Sequence, residues 1–222
     1  AGVLVQMPHE FFAKECEHLS IALPEPGQYG VGTAFLPQDS AKRTECERTV
    51  EHVVSDEGHT FLGWRDVPIS PDAIGTLAAS VRPTIRQFFV GRLAESADRL
   101  PFELRLYLIR KQIEKSVAAS SMSDSADFYI PSLSSRVIVY KGLIMAHQLQ
   151  HFYHDLNDES LVSSFAMVHS RFSTNTLGSW KLAHPYRHII HNGEINTLRG
   201  NTNWMAAREA MFSSPVLGDE VK

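Results

Sequence analysis

The chain has 222 residues, 43% hydrophobic and 21% charged, enough to bury one sizeable core without disulfide staples or a structural metal. Its formal charge of -4 offers no overall basic footprint for nucleic acid or an anionic membrane, and no apolar run approaches the roughly 20 residues that cross a bilayer. Cys16 and Cys46 stand isolated in helical-looking stretches, and the N-terminus reads as a strand rather than a signal peptide, so the expectation is a mature protein of a reducing, intracellular compartment.

Residues 3–7 read as a strand, and Pro8 opens a helix whose Phe11, Phe12, Cys16 and Leu19 recur at helical spacing. The glycine-punctuated stretch 24–32 leads into an apolar strand at 31–36, and Asp39 or Ser40 caps a helix running towards Glu57. Residues 61–69 read as a strand closed by proline, and 85–90 and 102–109 as two more. The spacing over 110–120 predicts an exposed helix, and 120–125 is the most loop-like stretch. Strands follow at 128–133 and 136–141, a helix at 143–152, a strand at 165–168 and a helix at 203–212. Strands in clusters, with helices between the clusters, predict an α+β fold with antiparallel pairing rather than a doubly wound sheet.

The densest polar constellation, His169-Ser170-Arg171-Phe172-Ser173-Thr174-Asn175-Thr176, follows the apolar residues 165–168 directly. A strand that delivers an arginine and several hydroxyls to its end can bind a carboxylate, because guanidinium matches a carboxylate bidentately; the alternative is a Ser/Thr-rich turn capping the strand. Within 187–198, Asn192-Gly193 is a strong hairpin signal, since both turn positions take positive φ. The Asn amide and the N–H of an unhindered glycine also make the pair of neutral donors that a developing oxyanion needs. His147, His151 and His154 have zinc-like helical spacing, but only Asp155 or Asp158 could complete the set, and a solvated surface helix is the better reading. No GxSxG frame surrounds Ser134, Ser135 or Ser173, and the glycines of 27–32 lack the P-loop lysine and the Rossmann spacing.

Together with Trp180, Ala183-His184-Pro185, His191-Asn192-Gly193-Glu194-Ile195-Asn196-Thr197, Gly200-Asn201 and Asn203-Trp204-Met205, the polar constellation resembles the glutaminase domain at the N-terminus of the large chain of glutamate synthases. Upstream, Gly63-Trp64-Arg65-Asp66-Val67-Pro68, Phe102-Glu103-Leu104 with Arg110-Lys111-Gln112-Ile113-Glu114, and Val139-Tyr140-Lys141-Gly142 extend the resemblance over nearly the whole chain. It implies a class II glutamine amidotransferase, an N-terminal nucleophile hydrolase with a four-layer αββα sandwich, here one incomplete domain over 1–222. The implied reaction is hydrolysis of L-glutamine to glutamate and ammonia, the ammonia serving reductive amination of 2-oxoglutarate. By the family's pattern Arg171 holds the α-carboxylate, Thr174 and Glu194 bind substrate, and Asn192 with the Gly193 N–H forms the oxyanion hole. The resemblance places no cofactor or metal in this domain, and FMN and an iron–sulfur cluster in the full enzyme. Its implied partners are L-glutamine, synthase domains of the same parent chain, and a reductase subunit or ferredoxin, with neither nucleic acid nor membrane. The implied location is the cytoplasm, or a plastid in a photosynthetic eukaryote.

The family's nucleophile is the thiol of the first residue, with its own α-amino group as base. Here the first residue is Ala1, Cys16 lies mid-helix, and Cys46 sits between Glu45 and Glu47, which disfavours a thiolate. Ala1-Gly2-Val3 looks like the end of a Gly-Ala-Gly segment that follows the catalytic cysteine in the family. Nothing after Phe212 matches the motif that supplies the acidic residue for the substrate's α-amino group. The expectation is an inactive fragment lacking the nucleophile segment and the C-terminal part, with a non-catalytic glutamine- or glutamate-binding module of the same fold as the alternative.

Overall fold

The computed structural model describes residues 1–93, 100–120, 128–171, 178–193, 197–216 and 218. They belong to two compact units, Ala1–Ile190 and His191–Lys222. In chain order the first unit contains β1 (Gly2–Gln6), α1 (His9–His18), β2 (Tyr29–Leu36), α2 (Ser40–Asp56), β3 (Thr60–Asp66), α3 (Thr76–Ser80), β4 (Thr84–Gly91), α4 (Phe102–Ala119), β5 (Tyr129–Ser134), β6 (Val137–Lys141), α5 (Leu149–Phe152) and β7 (Ala166–His169). The second unit holds α6 (Leu198–Glu209).

All described strand pairs are antiparallel. They make a four-stranded sheet in the order β3-β4-β2-β5 and a three-stranded sheet in the order β6-β1-β7. Side chains alternate across a strand, so β2 presents Tyr29, Val31 and Phe35 to one core and Ala34 and Leu36 to another. The first core joins those residues to Val3 and Val5 of β1, Ile138 and Tyr140 of β6, and Phe11 and Phe12 of α1, and so lies between the two sheets. The second packs Val50 and Val54 of α2 and Leu106, Ile109 and Ile113 of α4 on the other face of the four-stranded sheet. Helices, sheet and sheet therefore form three layers within this unit.

The Asp39 carboxylate accepts the Lys42 N–H (2.9 Å), capping α2 where the sequence placed its start. Three expectations are corrected. Residues 102–109 are not a strand but the first half of α4, one helix through Ala119. The segment Phe102-Glu103-Leu104-Arg105-Leu106-Tyr107-Leu108 alternates apolar and polar over a short window, yet Phe102, Leu106, Ile109, Ile113 and Val117 keep helical spacing over twice that length, and all five are buried, with Leu108 and Arg110 beside them. The helix expected over 143–152 is instead two short pieces, a 3-10 turn at Ala146–Gln148 followed by α5. Leu19, expected on the buried face of α1, is 46% exposed beyond the helix end.

A buried polar network crosses the layers. Arg65 of β3 gives two hydrogen bonds to Asp155 (both 2.8 Å), one to Gln87 of β4 (2.8 Å), and two to Glu15 of α1 (2.7 and 3.0 Å). The Tyr140 hydroxyl of β6 donates to Asp155 (2.9 Å). Buried charge is tolerated only when paired and hydrogen-bonded in this manner.

Candidate active site

The strand register brings distant parts of the sequence to one end of the three-stranded sheet. Gly2 stands opposite Lys141 on one side and His169 on the other, where β1 begins and β6 and β7 finish. Residues 179–189 lie against this end. A Cβ on Gly2 would overlap the His184 carbonyl, and one on Gly142 would overlap the Trp180 ring, so both positions require glycine through close approach. His169 stacks on His184 with ring centroids 4.6 Å apart, and His184 meets Tyr186 at 4.1 Å with the rings tilted 41°.

Lys141 is fully buried. Its Nζ donates to the Lys181 carbonyl (2.9 Å) and lies 4.6 and 5.1 Å from the ring centroids of Tyr129 and Tyr186. Burial first, and then the Arg187 charge, bring its pKa down to about 7. Arg187 itself donates to Glu114 (3.0 Å), which also accepts from Arg110 (2.8 Å). Sequence reasoning assigned Lys141 no role. The available signal was its place in Val137-Ile138-Val139-Tyr140-Lys141, a strand buried along its whole length, which takes the lysine inside with it.

Arg171 is exposed, two residues beyond the end of β7 and thus at the same end of the sheet as Gly2, Lys141 and His169. Thr174 and Glu194 lie outside the described residues. Asn192 and Gly193 belong to the second unit and are exposed, and the Gly193 N–H donates to His191 Nδ1 (3.2 Å). Neither has the positive φ of a type I′ turn, and residues 190–193 form no strand. The hairpin signal therefore fails over its described part: Asn-Gly permits such a turn, but flanking strands must pair to impose it. Among the described residues, a Cβ on Gly193 would meet His191 Nδ1 at an ordinary 3.6 Å, and its φ is not one that favours glycine.

His147, His151 and His154 fall on three successive short elements rather than one helix, and His154 Nε2 is hydrogen-bonded to the Ser70 hydroxyl (2.6 Å). Ser134 and Ser135 both donate to Glu103 (3.0 and 2.6 Å). Both cysteines are free and buried. Burial pushes each thiol up to about 11; Glu15 adds to this at Cys16 against the opposing Arg65, and Glu45 and Glu47 add to it at Cys46.

Two antiparallel sheets, one of which carries Gly2, Lys141 and His169 abreast at one end, form the body of the first unit, and the chain belongs to the glutamine amidotransferases class-II, matched over residues 1–222. It is 49% identical over its whole length to the "Glutamate synthase [NADPH] large chain" of Bacillus subtilis, covering 14% of that protein. It is 44% identical to the large chain of the same name from Azospirillum brasilense, again over all of this chain and 14% of the relative. Over 97% of its length it is 42% identical to the "Ferredoxin-dependent glutamate synthase, chloroplastic" of Oryza sativa subsp. japonica, covering 13% of it. The chain thus spans about one seventh of the length of these relatives.

Proposed function

We propose that the chain is the ammonia-generating part of a glutamate synthase, hydrolysing L-glutamine to glutamate and ammonia. The observation that carries this reading is the convergence of Gly2, Lys141, His169 and Arg171 at one sheet end, within a chain of the class-II family. In the proposed reaction a thiolate adds to the side-chain carboxamide carbon. The resulting oxyanion accepts from the Asn192 amide and the Gly193 N–H, ammonia leaves with the proton it takes up, and water releases glutamate from the thioester. Arg171 pairs with the α-carboxylate, and Thr174 and Glu194 hold the rest of the amino acid. The Gly193 N–H is given to His191, so the imidazole must release it for the oxyanion.

Neither Cys16 nor Cys46 supplies the thiolate, since both are buried and their pKa values are raised. The 222 residues taken alone are proposed to be inactive, and a four-layer αββα sandwich to complete the three layers described. The ammonia would pass to synthase domains that reductively aminate 2-oxoglutarate, with electrons from a reductase subunit or ferredoxin. FMN and an iron–sulfur cluster belong to that part: the two thiols here lie in separate cores, so these residues do not fit a cluster. No described helix is long and apolar enough to cross a membrane, and the proposed location is the cytoplasm, or a plastid in a photosynthetic eukaryote.

Glutamine hydrolysis by the full-length protein tests the reading. Asn192→Ala is expected to lower kcat about 100- to 1,000-fold with little change in KM. Arg171→Ala is expected to raise KM for glutamine while sparing kcat for a simple amide that lacks the α-carboxylate. Unchanged kinetics in both variants would remove the proposed roles.

A further inference from the structure

Lys141 spends its ammonium on groups outside its own sheet. Nζ donates to the Lys181 carbonyl (2.9 Å), lies 3.5 Å from the Tyr129 hydroxyl of β5, and sits between the Tyr129 and Tyr186 rings, 4.6 and 5.1 Å from their centroids. The Tyr153 hydroxyl fixes the backbone of the same residue by donating to the Lys141 carbonyl (2.7 Å). Among the described residues no carboxylate pairs with Nζ, so the charge ties residues 181–186 to β5 and β6 through a carbonyl and two aromatic faces. The tied segment is the one that lies on the end of β7. The His184 carbonyl leaves no room for a Cβ on Gly2, and the His184 ring stacks on His169, two residues before Arg171. Arg187, which follows the segment, holds a left-handed backbone conformation (φ 54°) that is unfavourable for a non-glycine residue, so contacts rather than local preference keep this stretch on its path.

We propose that Lys141 is a positioning residue of the glutaminase site: its ammonium clamps residues 181–186 onto the sheet end, and His184 in turn holds His169, and the Arg171 that follows it, in place for the substrate's α-carboxylate. The inference rests on the glutaminase reading and gives Lys141 no contact with substrate. The clamp depends on charge, because a neutral amine loses its attraction to the two rings and donates more weakly to the carbonyl. Around Nζ stand the Ala1 amino group, Tyr129 and Tyr153, and from the segment and its end Lys181, His184, Tyr186 and Arg187, the last paired to Glu114, which Arg110 also holds. With burial and the Arg187 charge setting the Lys141 pKa near 7, the clamp is closed below that pH and released above it. Lys141→Met keeps every other group, so a pH dependence that it abolishes belongs to Lys141.

Glutamine kinetics of the full-length protein, from one pH unit below the Lys141 pKa of about 7 to one above it, test the inference. KM for glutamine is expected to rise about fivefold or more across that range, while Lys141→Met shows the high value throughout and converges with the unmodified protein at the alkaline end. At each pH kcat for a simple amide that lacks the α-carboxylate is expected to be the same in both proteins, which a misfolded variant could not show. Amide hydrogen exchange over residues 181–186, compared at equal pH without substrate, is expected to be faster in Lys141→Met at the acid end and equal at the alkaline end. Tyr186→Leu leaves Lys141 in place and removes one ring of the clamp; it is expected to raise KM at the acid end, and failure to do so overturns the inference even where Lys141→Met does not fold. An unmodified KM in Lys141→Met at the acid end, a KM difference that persists at the alkaline end, or unchanged exchange overturns the inference alone, since Arg171→Ala and Asn192→Ala still report on the glutaminase reading. Absence of glutamine hydrolysis in the unmodified protein removes that reading, and the inference with it.

Discussion

Lys141 shows what burial does to one side chain. In the unfolded chain its ammonium keeps its proton to about pH 10.4. In the fold it releases it near pH 7. Above pH 7 the unfolded state therefore binds more protons, and stability rises with pH, approaching ~1.4 kcal/mol per pH unit once the folded lysine is neutral. Cys16 and Cys46 act in the opposite sense, but only from about pH 8.5, where unfolded thiols begin to ionise while the folded ones do not. Denaturant unfolding at intervals between pH 7 and 8.5 should show the rise in the natural protein and lose it in Lys141→Met; equal slopes would refute the assignment. Gly2 is constrained by contact instead, and Gly2→Ala would force β1 away from the His184 carbonyl, with a drop in melting temperature as the readout.

At the level of elements, legibility in the sequence depended on window length. The capped helix α2 and the strands β2 and β4 were readable because cap, turn and apolar run agree locally. The first half of α4 reads as a strand because its first seven residues satisfy a period of two as well as one of 3.6, and only Ile113 and Val117 settle the matter. Ile109→Ala should cost about 2–5 kcal/mol, the range for a fully buried aliphatic side chain. Exposed Lys111→Ala should stay within about 0.5 kcal/mol in the same denaturation experiment. If 102–109 were an edge strand the contrast would vanish. The proposed site is legible in the sequence only as motif chemistry around Arg171 and Asn192, not as geometry. Sheet register, which no local pattern states, is what places Gly2, Lys141 and His169 abreast.

Across the first unit as a whole, Arg65 is the tie between α1, both sheets and the turn that carries Asp155. Removing one partner of a buried pair strands the other, so Asp155→Ala should cost about 3–5 kcal/mol, read from the denaturation midpoint. A loss below about 1 kcal/mol would show that solvent or Glu15 takes over. The central position of β1 has a consequence for biosynthesis. Its two neighbours, β6 and β7, are residues 137–141 and 166–169, so the earliest strand of this stretch to leave the ribosome pairs last. At ~5–20 residues per second it waits on the order of ten seconds with Val3, Leu4 and Val5 unburied. Such long-range closure is slow, and nascent chains arrested before Val137 should be the ones that bind holdase chaperones most strongly.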